Sequence, residues 1–162
     1  MVIKNNKPTV YLETTIPSFY YSVREEAGMQ VVRAWTRSRW DGRRHQYDLV
    51  TSVAVTDELE KGVHPHRTEK LALLKEVRFL PIVPEVSPIV AVYLKHQLMP
   101  RELAGDALHL ALASLPRCNY LLTWNCRHLA NANKFGQIRK LNERLHLPTP
   151  DLVTPLELGV DP

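Results

Sequence analysis

Several features that would narrow the function are scarce or missing in this chain of 162 residues. It has only 2 cysteines, Cys118 and Cys126, so the sequence does not indicate a disulfide framework, and a reducing compartment fits. No apolar run approaches the roughly 18 residues of a membrane-spanning helix. The opening segment, MVIKNNKPTV, lacks the apolar centre of a signal peptide. We therefore expect a cytoplasmic protein with no membrane partner.

Common cofactor and catalytic motifs are missing as well. The chain has 6 glycines, and they form no glycine-rich phosphate loop, dinucleotide fingerprint or Gly-x-Ser-x-Gly elbow. His64 with His66, and Cys126 with His128, resemble pairs of metal ligands. Neither has the second pair that a structural zinc site needs. The sequence therefore contains none of these nucleotide-binding or catalytic motifs, and it does not indicate a structural zinc site.

The overall composition is that of an ordinary globular protein, with 44% hydrophobic and 23% charged residues. A chain of this length is most simply one domain, residues 1–162. The net charge of +4 and the sequence pI of about 9.2 favour a polyanionic or acidic partner.

Short β-prone runs alternate with helical patterns along the chain. We predict strands at 9–12, 47–51, 82–83, 120–124 and 152–154, with amphipathic helices between them. The third strand lies between Pro81 and Pro84 and is expected near an edge of the sheet. This alternation predicts an α/β fold, a three-layer α/β/α sandwich with a mainly parallel twisted sheet.

Four polar residues lie at or near the ends of predicted elements. Glu13 follows the first strand, and Glu58 lies in the helix after the second. Asp106 opens the helix before the fourth strand, and Asn125 follows that strand. Because parallel strands end at one edge of a sheet, these groups are expected to converge. A bound cation relieves repulsion among three carboxylates, and an all-oxygen set favours Mg²⁺ or Mn²⁺. Metal-bound water is a nucleophile for a phosphodiester.

Each of these residues also has a purely structural interpretation. Asp106 at a helix entrance can be a cap or a partner of the helix dipole. Glu58 lies in a charged run that is typical of a solvated face, and Asn125 can simply form a turn. Glu13 is harder to explain in this way, because an acid directly after a buried strand is poorly placed for solvation. The combination of residues, rather than any one of them, favours a metal site.

Neighbouring residues can line the same site. Thr14 and Thr15 either assist Glu13 or cap the following helix. His109 lies about one turn beyond Asp106 and is either a hydrogen-bond partner of the site or a packed core histidine. The residues soon after Asn125 that can line the site are His128 and Asn131.

Five segments, spanning nearly the whole chain, share the pattern of one protein family. They are 10–15 (VYLETT), 51–62 (TSVAVTDELEKG), 105–111 (GDALHLA), 121–125 (LLTWN) and 153–158 (VTPLEL). The chain resembles the PIN-domain ribonucleases, and more narrowly the VapC-type toxins of bacterial toxin–antitoxin pairs. The third and fourth segments are the most specific, since they are similar to that family's Asp-Ala-Leu-His helix start and Leu-Leu-Thr-Trp-Asp strand.

This resemblance implies a metal-dependent endoribonuclease that cleaves RNA with Mg²⁺ or Mn²⁺. The metal ligands would be Glu13, Glu58 and Asp106, with Asn125 assisting. The resemblance also implies a cognate antitoxin that blocks the site, and a homodimer. Glu13 stands where the family usually has aspartate, and Asn125 where an aspartate is common. These two departures motivate an alternative: a degenerate PIN module that binds RNA or a protein partner without cleavage.

Basic residues are concentrated around Trp35 and again after Asn125. They either grip an RNA backbone or an acidic antitoxin segment, or form solvated faces whose long stems cover apolar surface. The candidate RNA or antitoxin contacts are Arg33, Arg37, Arg127 and Lys134.

Overall fold

The structure is a computed structural model that describes residues 6–61 and 63–158. Gly62, with which the second family-like segment ends, lies outside them. In chain order the elements are β1 (Thr9–Leu12), α1 (Thr15–Tyr20), α2 (Ala27–Arg43), a 3₁₀ helix (Arg44–Gln46), β2 (Asp48–Thr51), α3 (Val53–Glu60), α4 (Arg67–Leu73), β3 (Arg78–Phe79), α5 (Val86–Lys95), a second 3₁₀ helix (Arg101–Leu103), α6 (Ala104–Ser114), β4 (Tyr120–Leu122), α7 (Ala132–Arg144) and β5 (Asp151–Val153).

The strands form one five-stranded sheet in the order β3-β2-β1-β4-β5. Every pairing is parallel, with Tyr11 of β1 opposite Val50 of β2 on one side and Leu121 of β4 on the other. Helices flank this sheet, so the predicted α/β/α sandwich is confirmed and the sheet is wholly parallel.

The central strand β1 is short and apolar because both of its faces are covered. Val10, Tyr11 and Leu12 have no solvent exposure, and neither does Leu121 of the neighbouring β4. Near-continuous apolar runs are what a parallel strand between two helical layers requires. These strands therefore give the site a rigid base.

The order of the strands creates a topological switch point between β1 and β4. From β1 the chain proceeds outwards through β2 to β3, and β4 then returns to the other side of β1. Ligands of open α/β sheets bind outside the carboxyl ends of strands at such a point. Glu13 lies there, and its backbone N–H donates to the Leu122 carbonyl at 3.2 Å.

The third strand was predicted in the wrong place. Ile82 and Val83 are not in a strand, and β3 is formed instead by Arg78 and Phe79, which pair with the end of β2. Pro81 and Pro84 have no N–H to donate, so their segment is a poor partner for a ladder. The Arg78 guanidinium bonds the Asp48 carboxylate at 2.6 Å and supports the pairing that forms. The edge position was predicted correctly.

The helices complete the core with buried polar contacts as well as apolar packing. Asn142 of α7 accepts a hydrogen bond from the Tyr93 hydroxyl of α5 and donates to Ser114 of α6. In the described part of the chain, no helix is both long and apolar enough to cross a membrane.

Candidate metal-binding site

The Glu13 carboxylate is buried at the switch point, with an exposed fraction of 4%. Its Oε2 atom accepts hydrogen bonds from the Thr15 backbone N–H at 3.0 Å, the Thr15 hydroxyl at 2.5 Å and the Thr123 hydroxyl at 2.8 Å. The Thr15 hydroxyl also accepts from the Trp124 N–H at 2.8 Å. These donors converge on one oxygen, which leaves Oε1 as the atom best placed to bind a ligand.

The Glu58 carboxylate reaches the same place from α3 and is partly open to solvent. Its Oε2 atom accepts from the Thr14 hydroxyl at 2.5 Å, and its Oε1 atom accepts from His109 Nε2 at 2.8 Å. Burial by itself raises the pKa of Glu58, but the hydrogen bond and charge of His109, with the Thr14 bond, hold the pKa below its usual value. Glu58 is therefore an ionised carboxylate at neutral pH.

His109 is wholly buried between two hydrogen-bond partners. Besides Glu58, its ring contacts the Tyr11 hydroxyl through Nδ1 at 2.8 Å, and that hydroxyl lies 2.9 Å from Ser52 Oγ. Burial by itself lowers the pKa of His109, but the bond to Glu58 and the charges of the neighbouring carboxylates outweigh it and raise the pKa. The histidine is thus both packed in the core and bonded to the acidic site.

Three side chains bring possible metal-ligand atoms together. One atom each from Glu13, Glu58 and His109 lies within 4.8 Å of the others. Two carboxylates and an imidazole can hold a divalent cation, and carboxylate oxygens suit hard ions such as Mg²⁺. His109 Nε2 already bonds Glu58, so the imidazole either joins the ligands or orients Glu58 from behind. The donor set therefore fits a metal ion.

Asp106 lies next to this group rather than within it. It is in the first turn of α6 and accepts a hydrogen bond from the Asn125 side-chain N–H at 3.0 Å. Burial raises the pKa of Asp106, against the lowering effect of the Asn125 bond. The negative charge of Asp106 also acts on the buried His109. The structure thus brings Glu13 and Glu58 together with His109, and places Asp106 beside them.

Both polar atoms of the Asn125 side chain form hydrogen bonds. While its Nδ2 donates to Asp106, its Oδ1 accepts from the His128 backbone N–H at 3.0 Å. Its own backbone N–H donates to Thr123 Oγ1 at 2.9 Å. Asn125 therefore forms the turn after β4 and contacts an acid of the site at the same time.

No protein-family model matches this sequence, and no curated protein matches it either. Among solved structures, the chain is similar to a crystal structure of VapBC2 from Rickettsia felis bound to a DNA fragment from its promoter. The likeness covers 90% of this chain and 98% of that one, with a TM-score of 0.51 and 11% sequence identity. The fold is that of a VapC-like PIN domain. At this identity the likeness concerns the fold.

The remaining residues that were predicted to line the site make defined contacts within this fold. Thr14 occupies the N-cap position of α1 without a side-chain capping bond, so its hydroxyl serves Glu58 instead. Asn131 caps α7 by accepting from the Asn133 N–H. The His128 ring lies 3.4 Å from the Lys134 ammonium, which donates to the Leu98 carbonyl at 2.9 Å.

The predicted basic contacts divide between structural and exposed positions. Arg33 and Arg37 donate to the carbonyls of Ser22 and Tyr20, each at 2.8 Å, and so fix the connection between α1 and α2. Trp35 of α2 is 37% exposed, and Arg39 covers it. Arg127 is exposed beyond the end of β4.

Sequence reasoning missed three residues that shape the candidate site. Thr123, directly after β4, donates to Glu13, and the Tyr11 hydroxyl bonds His109 Nδ1. Gly105 lies against Glu58, because a Cβ atom there would be 2.9 Å from Glu58 Oε1. Of these three, only Gly105 had a signal in the sequence, because it directly precedes the candidate site residue Asp106.

Proposed function

We propose that this protein is a metal-dependent endoribonuclease and the toxin of a toxin–antitoxin pair. The observation that carries the proposal is the group formed by Glu13, Glu58 and His109 at the switch point of a PIN fold, with Asp106 beside it. Acids gathered at the carboxyl edge of a parallel sheet suit phosphodiester hydrolysis with a bound divalent ion.

We assign the metal ligands to Glu13, Glu58 and Asp106, and the ion to Mg²⁺ or Mn²⁺. These residues would hold the ion, which would polarise an attacking water molecule and stabilise negative charge on the phosphate. Thr15 and Thr123 fix Glu13, Thr14 and His109 fix Glu58, and Asn125 fixes Asp106. Such fixed carboxylates need little reorganisation on binding a ligand.

A cleavage assay on structured RNA tests this function. Asp106→Asn and Glu58→Gln each remove one charge, whereas Glu60→Gln is the matched control, since Glu60 is an exposed residue of the same helix as Glu58. We expect cleavage to fall by about a hundredfold or more in the first two variants, and to stop with a chelator. The Glu60 variant should cleave as the wild type does. Cleavage that survives Asp106→Asn or ignores the chelator would refute the proposal.

One observation favours the second candidate, a PIN module that binds RNA or a protein without cutting it. The tight group holds only two carboxylates, and position 125 is a neutral amide that bonds Asp106. Under this alternative the wild-type chain binds RNA, but neither Mg²⁺ nor Mn²⁺ produces cleavage.

We also propose a cognate antitoxin as partner, a homodimer, a single domain over residues 1–162, and a cytoplasmic location. The likeness to VapBC2 supports the antitoxin, because that structure is a toxin–antitoxin complex. Light scattering on the purified chain measures the dimer, and a monomeric mass would refute it.

A further inference from the structure

An open cavity of about 580 Å³ lies near the acidic site, because its lining includes His128, whose backbone N–H donates to Asn125. This volume is within the usual range for ligand-binding cavities. Its lining includes Lys95, Arg101, His128 and Lys134, with Glu102 as the one acid. The cavity therefore has a mainly positive lining, and one of its lining residues, His128, acts electrostatically on Asp106.

Two connections join this basic cavity to the acids. His128, on its wall, donates its backbone N–H to Asn125, which in turn donates to Asp106. Arg101 and Glu102 belong to the 3₁₀ helix that leads directly into α6, the helix that carries Asp106. A chain molecule bound at Asp106 is thus close to His128, which belongs to the lining of the basic cavity.

Lys134 is held in place on the wall of the basic cavity. Its ammonium donates to the buried Leu98 carbonyl at 2.9 Å and lies 3.4 Å from His128 Nδ1. An ammonium group has three N–H donors. Two are used by these contacts, so the third is available to an anion in the cavity. Lys95 and Arg101 are exposed at the rim and add charge there.

A second cavity, which Glu58 itself lines, has a different character. It has a volume of about 690 Å³, and its charged lining is Asp57, Glu58 and Lys61 among mainly apolar residues. Of these two cavities, the one lined by Lys134 has the clear excess of positive charge. This asymmetry suits a polyanion that extends from the acids towards Lys134.

We propose that the basic cavity binds a phosphate of the RNA chain adjacent to the one that is cleaved. This inference rests on the proposed function, since it takes RNA as the molecule at the acids. Lys134 contacts the phosphate oxygens, and Lys95 and Arg101 add attraction from the rim. The cavity thereby sets the direction in which the strand crosses the site.

The test measures binding separately from cleavage. A fluorescent single-stranded RNA is titrated in EDTA with the wild type and with Lys95→Gln, Arg101→Gln and Lys134→Gln, and anisotropy is followed at several KCl concentrations. The matched control is Lys140→Gln, because Lys140 is an exposed residue of α7 that does not line the cavity. Each variant loses the same charge, so a general electrostatic effect appears in all four.

We expect Lys134→Gln to raise the Kd about tenfold, as for one lost hydrogen bond to a charged group. The slope of log K against log salt should fall by about 0.7 for each phosphate contact removed. Lys140→Gln should change neither quantity by as much. Because Lys134 also bonds the Leu98 carbonyl, a melting curve checks that the Lys134→Gln variant is folded. The variants of the exposed Lys95 and Arg101 test the phosphate site even if Lys134→Gln does not fold.

The outcomes separate this inference from the proposed function. If all three cavity variants match Lys140→Gln while the wild type binds and cleaves RNA, the phosphate site is refuted and the nuclease stands. If the cavity variants lose affinity but the wild type never cleaves, RNA phosphate binding in the cavity stands, whereas the nuclease, and with it the position next to a cleaved phosphate, is refuted. A wild type that does not bind RNA refutes both. If the cavity variants keep their RNA affinity but no longer bind an acidic protein partner, the cavity is a protein-binding surface and the phosphate site is refuted.

Discussion

Gly105 is the position where a single methyl group tests the geometry of the site most directly. Gly105→Ala would place a Cβ atom 2.9 Å from Glu58 Oε1, whereas ordinary contacts begin at 3.4 Å. The carboxylate must therefore withdraw by about 0.5 Å. It cannot do so without cost, because Oε1 accepts from His109 and Oε2 accepts from Thr14.

The magnitude follows from two opposing effects on the free energy of unfolding. A hydrogen bond to a charged group contributes about 1.5–3 kcal/mol, so stretching the His109 bond costs roughly 1 kcal/mol. Alanine is a better helix former than glycine and returns up to about 1 kcal/mol. The two effects nearly cancel, so Gly105→Ala should have about the stability of the wild type.

The matched control is Gly28→Ala. Gly28 is the second residue of α2 and follows an alanine, as Gly105 does in α6, but a Cβ atom there has nothing within 4 Å. This control should gain the helix-propensity term without the cost at Glu58. Urea unfolding of both variants in EDTA measures the difference, which we expect to be about 1 kcal/mol. Equal stabilisation of the two variants, with RNA cleavage unaffected by Gly105→Ala, would refute the close approach at Glu58.

Two further predictions concern pH and thiol chemistry. The pKa of His109 is raised in the folded state, so protonated His109 stabilises the fold fully below pH 6.5, and this stabilisation is lost as pH rises through the folded pKa. The pKa of Glu58 is lowered in the folded state, so ionised Glu58 stabilises the fold above pH 4.5. The stability difference between the wild type and Glu58→Gln in EDTA should therefore be larger at about pH 6 than at about pH 9, and a pH-independent difference would contradict the pairing. Burial raises the pKa of Cys118 to about 11, whereas Cys126 is exposed. A thiol reagent should therefore modify only Cys126 quickly in the native protein, and both cysteines after unfolding. Rapid modification of both cysteines in the native protein would contradict the burial of Cys118.

The central strands were predictable from sequence because their pattern reflects burial on both faces. Thr9–Leu12 was predicted with its observed bounds, and the prediction at 120–124 covers the observed Tyr120–Leu122. The edge strand was not predictable in the same way. Arg78 and Phe79 are both exposed, so no apolar pattern marks them, and their pairing depends on β2 being alongside.

The candidate site was predictable in its acids but not in its supporting contacts. Glu13 and Asp106 stand out because they follow or precede strongly patterned elements. The role of Arg37 was left open because sequence does not distinguish an arginine that grips phosphate from one that bonds a backbone carbonyl. The proximity of Thr123 to Glu13, and of Gly105 to Glu58, exists only once the strands and helices are assembled.

The two departures from the usual PIN pattern have a common physical consequence at the site. The longer side chain of Glu13 is fixed by three donors on one oxygen, so its additional methylene does not leave it mobile. Asn125 donates to Asp106 at 3.0 Å, which an ionised aspartate could not do. An aspartate at position 125 would set two carboxylates against each other, and such a pair requires a proton or a cation to be stable. With asparagine, Asp106 is held in position by the protein itself, so the arrangement of acids does not depend on a metal ion being bound.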